Sequence, residues 1–260
     1  FGGRPRIFIS GGAAFNPEVS RTFLGLGINI LQGYGMTETA PIMSVNKVGD
    51  NHPQTVGPAL VNIEVRVGDN DELQMRGPSL MNGYWNRPAD TKAVFTEDGW
   101  LRTGDQADIF SDGHIRIKGR IKEIIVTSTG EKVPPADLEQ ALESDHLVSQ
   151  AMVVGENRPY IAALVVLNAQ EWKKLAAELK LDADDPLSLD TRAARQAVLR
   201  RVKAAAAGFP NYAVPRQVRL FLEPWSIENG LMTPTLKLKR GPMRIRFADA
   251  IESLYAEVKV

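Results

Sequence analysis

The chain has 260 residues, 43% hydrophobic and 24% charged, which is enough apolar material for one large domain or two smaller ones. Its 31 basic residues balance 31 acidic residues, so no overall field directs it to nucleic acid or to an anionic membrane. The absence of cysteine excludes disulfides, thiolate zinc sites and a cysteine nucleophile, and favours a reducing compartment such as the cytoplasm.

The first elements predict a βαβ unit over residues 1–55. "RIFIS" (residues 6–10) is typical of a buried strand, residues 17–26 have the apolar period of a helix with Asn16 as its N-cap, and "INILQGYG" (residues 28–35) predicts a second strand. Two parallel strands joined by a helix place ligands at the carboxyl ends of the strands. Glycine-rich turns follow both strands.

Residues 56–119 predict a β-rich subdomain. The short runs "NIEVRVG", "ELQMRG" and "HIRIKG" alternate in polarity and are separated by Gly, Pro, Asn and Asp. This pattern is typical of a small antiparallel sheet or barrel.

The remainder of the chain predicts an α+β module. A helix begins at Pro134 and Pro135 with Leu138, Ala141 and Leu142 on one face. The other predicted elements are strands at 148–154, 161–167 and 218–222, a helical pair at 171–180 and 191–207, and a final helix with Met243, Phe247, Ile251, Leu254 and Val258 at helical spacing.

Searches for familiar chemistry give few candidates. The chain lacks the GxxxxGK[ST] and GxGxxG phosphate loops. His52, His114 and His146 are scattered without metal-ligand spacing, which predicts surface or structural roles and no histidine metal site. What remains is a series of polar clusters: "SGGA", "GYGMTETAP", "DGWLRTGD", "KGRIKE" and "TPTLKLKR".

Each polar cluster also has an ordinary structural interpretation. Tyr34 fits a core position, Thr37 and Glu38 fit the start of a helix, and Asp105 fits a turn. The basic residues 237–240 fit a solvated edge of the fold. Their order and spacing together argue for a shared function.

The clusters resemble those of the adenylate-forming superfamily, which includes acyl-CoA synthetases, peptide-synthetase adenylation domains and luciferases. The motifs that carry the resemblance are "GYGMTETAP", "DELQMRGPSLMNGYW" (with Asp71 where the family pattern begins with glycine), "DGWLRTGD" and "GRIKEIIVTSTGEKVPPADLE". The segment "TSTGEKVPPADLE", the helical insert and the ending "GLMTPTLKLKR" resemble the long-chain fatty acyl-CoA synthetases. Leu236 stands where other subclasses have the glycine of a "GKxxR" ending.

The resemblance implies an α/β and α+β fold in two parts. Residues 1–119 would be the end of a large AMP-binding N-terminal domain, a parallel βαβ unit plus a small β subdomain. Residues 120–122 would be a hinge, with Lys122 at the matching hinge position. Residues 123–260 would be a mobile α+β C-terminal lid domain with a helical insert at 168–210.

The resemblance also implies roles for residues 33–38. Tyr34 would stack on adenine, and Gly33 and Gly35 would let the backbone approach the adenylate without Cβ clashes. Thr37 would hydrogen-bond a phosphate oxygen. Glu38 would be both a catalytic residue and the ligand of Mg²⁺, a cation that prefers carboxylate oxygen.

Three further groups complete the implied nucleotide site. Gly11, Gly12 and Ala13 would line the adenine and acyl pocket. Asp105 would accept both ribose hydroxyls, as a two-oxygen acceptor can, and Arg120 would meet the ribose as well.

The implied reaction forms acyl-AMP from ATP and a fatty acid, and coenzyme A then displaces AMP. Lys237 matches the catalytic lysine, three residues before Arg240, with Lys239 as a competitor if the register slips by two. Gly130 lies in the loop that matches the thiol channel. A phosphate loop expected upstream is missing, so we expect the chain to be inactive without an N-terminal half of the same polypeptide.

Several alternatives stay open at this point. The enzyme would be a fatty acyl-AMP ligase if its thiol acceptor were a carrier protein, or the chain would be a non-catalytic adenylate-binding module. The helical insert would be a membrane-surface or partner-binding element if its apolar face were exposed, although its mixed charges favour a packing role. No nucleic-acid partner is expected, and a peripheral contact at the inner membrane surface and a homodimer are left open.

Overall fold

A computed structural model describes residues 2–12 and 15–256. The chain divides into two compact units, residues 1–122 and 123–260. The division falls at the segment for which the sequence predicts a hinge, and movement there stays a prediction. Ala13 and Val258 lie outside the described residues. Within the described part of the chain, every helix is too short or too polar to cross a lipid bilayer.

The first unit opens with the predicted βαβ arrangement. Its elements are β1 (Ile7–Ser10), α1 (Pro17–Gly25), β2 (Asn29–Gly35) and β3 (Ile42–Val45). The Asn16 side chain accepts a hydrogen bond from the Glu18 amide and so caps α1 as predicted. Strands β1 and β2 pair in parallel, and β3 adds an antiparallel strand to β2.

The expectation that β1 is a buried strand is wrong for the described residues. Ile7 and Ile9 are 46% and 59% exposed. The reason is that β1 is the edge of the three-stranded sheet β1-β2-β3, and no described element covers the face on which these two alternating side chains lie.

The rest of the first unit is a four-stranded antiparallel sheet in the order β4-β5-β6-β7. Its elements are β4 (Glu64–Val67), β5 (Glu72–Arg76), α2 (Pro88–Val94), β6 (Leu101–Ile109) and β7 (Ile115–Arg120). The predicted antiparallel sheet is therefore present, and it packs around fully buried Leu73, Met75, Leu101 and Ile115. Asp105 lies inside β6, so its interpretation as a turn residue is wrong.

The second unit begins with a two-stranded ribbon and a helix. These are β8 (Ile125–Val126), β9 (Lys132–Val133) and α3 (Pro135–Glu143). Helix α3 starts at Pro135 and buries Leu138 and Leu142 as predicted, whereas Ala141 is only partly buried.

A three-stranded sheet forms the centre of the second unit. Its strands are β10 (Val148–Val154), β11 (Ala162–Leu167) and β12 (Gln217–Phe221), with β11 antiparallel to β10 and parallel to β12. Every residue of β11 is buried, because apolar clusters cover both faces of the sheet.

The helical insert supplies one of those covers. Its helices α4 (Ala169–Glu178) and α5 (Arg192–Ala205) bury Trp172, Val198 and Val202 in the same cluster as α3. The apolar faces of both helices are thus used inside the unit, which favours the packing role over a membrane-surface element.

The final helix is interrupted, which the sequence did not indicate. It forms α6 (Arg240–Arg246) and α7 (Ala248–Ala256). Phe247 has φ −105° and ψ 22°, outside helical values. Its ring packs against Phe221 and Trp225, at centroid distances of 4.9 and 6.1 Å, so the break places an aromatic side chain on the sheet.

Candidate functional site

The glycine turns after β1 and β2 are neighbours, because the parallel register pairs Ser10 with Gln32. A Cβ on Gly11 would lie 3.3 Å from the carbonyl oxygen of Gly33, and Gly12 adopts φ +82°. The two strand ends therefore present backbone at one edge of the sheet, as predicted for a ligand site in a parallel unit.

The path of the chain requires Gly35 and leaves little room for a side chain at Gly33. A Cβ on Gly33 would lie 3.2 Å from the Ser44 carbonyl oxygen, and one on Gly35 only 1.8 Å from the carbonyl oxygen of Pro41. No side chain can tolerate the 1.8 Å contact at Gly35. Glycine is therefore needed there for the chain to turn back into β3, whether or not a ligand is bound.

Three of the predicted nucleotide-binding residues meet in the first unit. Tyr34 Oη donates a hydrogen bond to Asp105 Oδ2, and Arg120 Nε lies 2.8 Å from Asp105 Oδ1. Arg120 and Asp105 are register partners on β7 and β6. These residues come from separate sequence motifs, and the fold brings Tyr34 and Arg120 to the carboxylate of Asp105.

The electrostatics of this cluster keep Tyr34 protonated. Burial of the phenol, together with the negative charge of Asp105, raises the pKa of Tyr34 well above its ordinary value. Asp105 is only 4% exposed, whereas the Arg120 side chain is 52% exposed. Both carboxylate oxygens of Asp105 are thus held in place, one by Tyr34 and the other by Arg120.

Glu38 is held by a residue that the sequence analysis did not single out. Tyr84 Oη donates to Glu38 Oε1 at 2.7 Å, and the Met81 amide donates to the Glu38 carbonyl oxygen at 2.8 Å. The bond to Glu38 raises the pKa of Tyr84. The motifs "GYGMTETAP" and "MNGYW" therefore contact each other, and Tyr84 could have been found from its place in the second motif.

Glu38 suits a hard cation. It lies with Thr37 in the 3₁₀ turn Thr37–Thr39, where Thr37 is exposed and Glu38 is half-buried. A single carboxylate with unused lone pairs is a common protein contribution to Mg²⁺, which otherwise keeps water and phosphate ligands. The residues present thus fit the predicted cation, with substrate phosphates as its other ligands.

Lys237 lies in the second unit, at the end of a tight hairpin loop. Met232 and Leu238 form an antiparallel bridge, the Thr233 amide donates to the Lys237 carbonyl oxygen at 2.8 Å, and the Leu236 amide donates to the Thr233 carbonyl oxygen at 2.9 Å. Lys237 is exposed and Lys239 is half-buried. Leu236 adopts φ +58°, a conformation that favours glycine.

The hairpin is anchored by Arg240, which the sequence suggested as part of a solvated basic edge. That interpretation is wrong, because only 13% of the Arg240 side chain is exposed. Its guanidinium pairs with Glu139 on α3 and, at 3.3 Å, with Glu123. Glu139 also accepts the Val153 amide of β10 at 2.8 Å. The motifs "PPADLE" and "KLKR" are therefore joined by a buried ion pair.

Gly130 and Lys122 occupy turns. Gly130 has φ +85° in the loop between β8 and β9, where its amide donates to the Thr127 carbonyl oxygen at 2.9 Å. Lys122 lies in the 3₁₀ turn Ile121–Glu123 at the boundary of the two units. Their roles in the thiol channel and the hinge stay predictions.

Comparison with known proteins matches both units to one family. Residues 1–85 match the family described as AMP-binding enzyme, and residues 122–259 match its C-terminal domain. A long-chain-fatty-acid–CoA ligase of Mycobacterium bovis is 34% identical over 98% of this chain and 42% of its own length. A chloroplastic long-chain-fatty-acid–acyl-carrier-protein ligase of Arabidopsis thaliana is 30% identical over 95% of this chain and 35% of its own length. The chain thus spans less than half the length of these relatives.

Solved structures with the same fold hold adenine nucleotides. The A domain of a carboxylic acid reductase from Segniliparus rugosus, in complex with AMP and a co-purified carboxylic acid, has a TM-score of 0.79 at 26% identity, over 99% of this chain and 40% of that one. ATP-bound MatB from Rhodopseudomonas palustris has a TM-score of 0.72 at 25% identity, over 94% and 46% of the two chains.

Proposed function

Because the chain belongs to the AMP-binding enzyme family, we propose that it is part of a ligase that activates a long-chain fatty acid as its acyl-adenylate and transfers the acyl group to a thiol. The two named ligases support the substrate class. The observation that carries the proposal is the meeting of Tyr34, Asp105 and Arg120 at one buried carboxylate.

In this proposal the nucleoside is recognised by that cluster. Asp105 accepts the two ribose hydroxyls, while Arg120 holds the carboxylate in place. The ring of Tyr34 stacks on adenine while its hydroxyl donates to Asp105. The glycine turns at 11–12 and 33–35 let the nucleotide approach the backbone closely.

The first chemical step brings the negatively charged fatty acid carboxylate against the negatively charged phosphates of ATP. The fatty acid carboxylate oxygen attacks the α-phosphorus of ATP, the bond to the β-phosphate oxygen breaks, and pyrophosphate leaves. Thr37 donates to a phosphate oxygen, and Lys237 balances the developing negative charge. Glu38 would hold Mg²⁺, which supplies further charge neutralisation on the phosphates when bound.

The second step transfers the acyl group. The sulfur of the thiol attacks the acyl carbon, the bond to the phosphate oxygen breaks, AMP leaves, and the thiol proton passes to solvent. We propose that residues 123–260 rotate about Lys122 between the steps, withdrawing Lys237 and bringing the Gly130 loop to the thiol. Coenzyme A is the acceptor favoured by the first relative, and a carrier protein is the alternative favoured by the second.

Nucleotide recognition is tested by AMP binding to a form that carries the natural upstream sequence. We expect Asp105→Asn to weaken AMP binding at least tenfold, because an amide cannot accept from two hydroxyls and an arginine together. Asp108→Asn is the matched control, since Asp108 lies on the same strand and pairs with Arg116 and Lys118 instead. Equal affinities of the two variants would refute the assignment.

Activity is tested by fatty-acid-dependent ATP–pyrophosphate exchange on this chain and on the longer form. The proposal expects exchange only in the longer form, which would supply the phosphate loop, and loss of exchange in Lys237→Ala but not in Lys239→Ala. Exchange without acyl-CoA release from free coenzyme A would select the carrier-protein acceptor. A well-folded longer form without exchange would favour a non-catalytic adenylate-binding module.

A further inference from the structure

Two histidines that are distant in the sequence stack against each other in the first unit. His52 lies in the connection between β3 and β4, and His114 immediately precedes β7. Their ring centroids are 4.0 Å apart, and their planes differ by 8°. The sequence-based interpretation of these residues as scattered is therefore wrong for this pair.

Two carboxylates lie at opposite edges of the stacked rings. Asp50 Oδ1 is 3.8 Å from His52 Nε2 and 3.6 Å from His114 Nε2. Asp112 Oδ2 is 3.8 Å from His52 Nδ1 and 3.3 Å from His114 Nδ1. In both rings, therefore, Nε2 faces Asp50 and Nδ1 faces Asp112.

The imidazole of His114 is buried, and both of its nitrogens are unsatisfied. The residue is only 1% exposed, and neither of its ring nitrogens makes a hydrogen bond to any residue in the described ranges, since the carboxylate contacts lack hydrogen-bond geometry. An unsatisfied buried imidazole costs free energy. The cost is removed if one nitrogen donates to a carboxylate and the other binds a cation.

We propose that Asp50, His52 and His114 bind a divalent transition-metal ion such as Zn²⁺. Their ligand atoms all lie within 4.8 Å of one another. Asp112 supports this assignment, because metal-binding histidines commonly donate their second ring N–H to a carboxylate. A small turn of Asp112 on ion binding would let it accept from Nδ1–H, which would leave the Nε2 lone pairs for the ion.

The geometry needs only local adjustment. Tetrahedral Zn²⁺ with bonds of about 2.0–2.2 Å separates its ligand atoms by about 3.4 Å, so the two gaps from Asp50 to the histidines, 3.6 and 3.8 Å, close by a few tenths of an ångström. The two rings are stacked nearly parallel, so one ring must also tilt to direct both Nε2 lone pairs at one ion. The side chains of Asp50 and His52 are about half exposed, at 53% and 50%. His52 can turn toward Asp50 while His114 stays fixed in the core, and water completes the coordination.

The donor set also selects the kind of ion. Two imidazoles and one carboxylate favour Zn²⁺, Co²⁺, Ni²⁺ or Cu²⁺, whereas Mg²⁺ prefers oxygen ligands. The site is therefore distinct in chemistry from the Glu38 carboxylate and does not depend on the proposed ligase activity. An ion here would cross-link the β3–β4 connection to the β6–β7 hairpin and stabilise the first unit.

Calorimetric titration of the metal-free, untagged 260-residue chain with ZnCl₂ tests the site, and CoCl₂ reports nitrogen ligands through its visible spectrum. We expect one ion per chain and at least tenfold weaker binding in His52→Gln and in Asp50→Asn. His146→Gln is the matched control, because His146 is exposed and lies outside the cluster; its binding should equal that of the parent chain.

A second variant separates a site from a loose surface association. Asp112→Asn leaves all three ligands in place but replaces the charged acceptor that faces Nδ1 with a neutral amide, so we expect binding to weaken about tenfold. Circular dichroism confirms that each variant is folded. Binding that is unaffected by His52→Gln, or no binding by the parent chain at millimolar Zn²⁺, would overturn the proposal.

Discussion

The buried pair of Glu139 and Arg240 allows a prediction whose sign is unusual for an ion pair. Burial raises the pKa of Glu139 to about 7, although Arg240 and the Val153 amide favour the charged form. The cost of removing the carboxylate from water thus exceeds the attraction of its partners. We expect Glu139→Gln, which is neutral, of the same size and leaves Arg240 paired with Glu123, to stabilise the second unit at alkaline pH.

The magnitude follows from the difference between the two pKa values. The folded chain prefers protonated Glu139, so this contribution to stability is complete below the ordinary pKa of 4.5 and is lost as the pH rises through 7. At about 1.4 kcal/mol per pKa unit, the loss is about 3 kcal/mol. Glu139→Gln should therefore match the parent chain near pH 4.5 and exceed its unfolding free energy by about 3 kcal/mol at pH 8.

Urea unfolding at the two pH values, followed through fully buried Trp172, measures this difference. Exposed Glu178→Gln controls for the general effect of losing a carboxylate. Arg240→Met should act oppositely and destabilise the unit at pH 8, because it leaves a buried carboxylate without its counter-ion. Protonation of Glu139 limits this loss to about 1.4 kcal/mol, because pH 8 lies one unit above its folded pKa of about 7. If Glu139→Gln were less stable than the parent chain at pH 8, the ranking of desolvation over attraction would be refuted.

Three further changes test other parts of the structure. Leu236→Gly should raise the unfolding free energy by about 0.5–1 kcal/mol, because relief of the positive φ outweighs the entropy of glycine and the 67% exposed side chain packs little; a loss of stability in urea unfolding would contradict this. Tyr84→Phe should raise the Mg²⁺ concentration needed for half-maximal pyrophosphate exchange severalfold in the longer form, because Glu38 loses its orienting donor; an unchanged Mg²⁺ dependence would count against the role. Gly35→Ala should unfold the first unit or lower its free energy of unfolding by more than 3 kcal/mol, since the added Cβ would meet a backbone oxygen. Gly25→Ala is the control, because its Cβ would enter open space, and thermal melts should show that it is tolerated.

Local sequence patterns predicted the elements whose side chains follow a simple period. The cap at Asn16, the start of α3 at Pro135 and the strand β10 all agree with the structure. Strand β6 was missed because it buries polar residues: Thr103 and Asp105 are 3% and 4% exposed, so the strand has no apolar alternation to detect.

Pairings between distant segments could not be predicted from local patterns. The bond from Tyr84 to Glu38, the pair of Glu139 and Arg240, and the stacked histidines each depend on tertiary structure. Resemblance to a family placed Tyr34, Asp105 and Arg120 in one site before any geometry was available. It used Arg240 only to place Lys237 and did not predict its burial, because a basic residue near a lysine is indistinguishable in sequence from a solvated edge.

The position of Arg120 has a mechanical consequence. It is the last residue of β7, and the boundary between the units follows Lys122, only two residues later. An extended chain spans about 3.3–3.6 Å per residue, so Arg120 lies within about 7 Å of the proposed pivot. A point so near an axis travels little even through a large angle. If residues 123–260 rotate as proposed, the contact of Arg120 with Asp105 would be kept, because both residues lie on paired strands of the first unit. A ribose bound there would then stay in place through both steps of the proposed reaction.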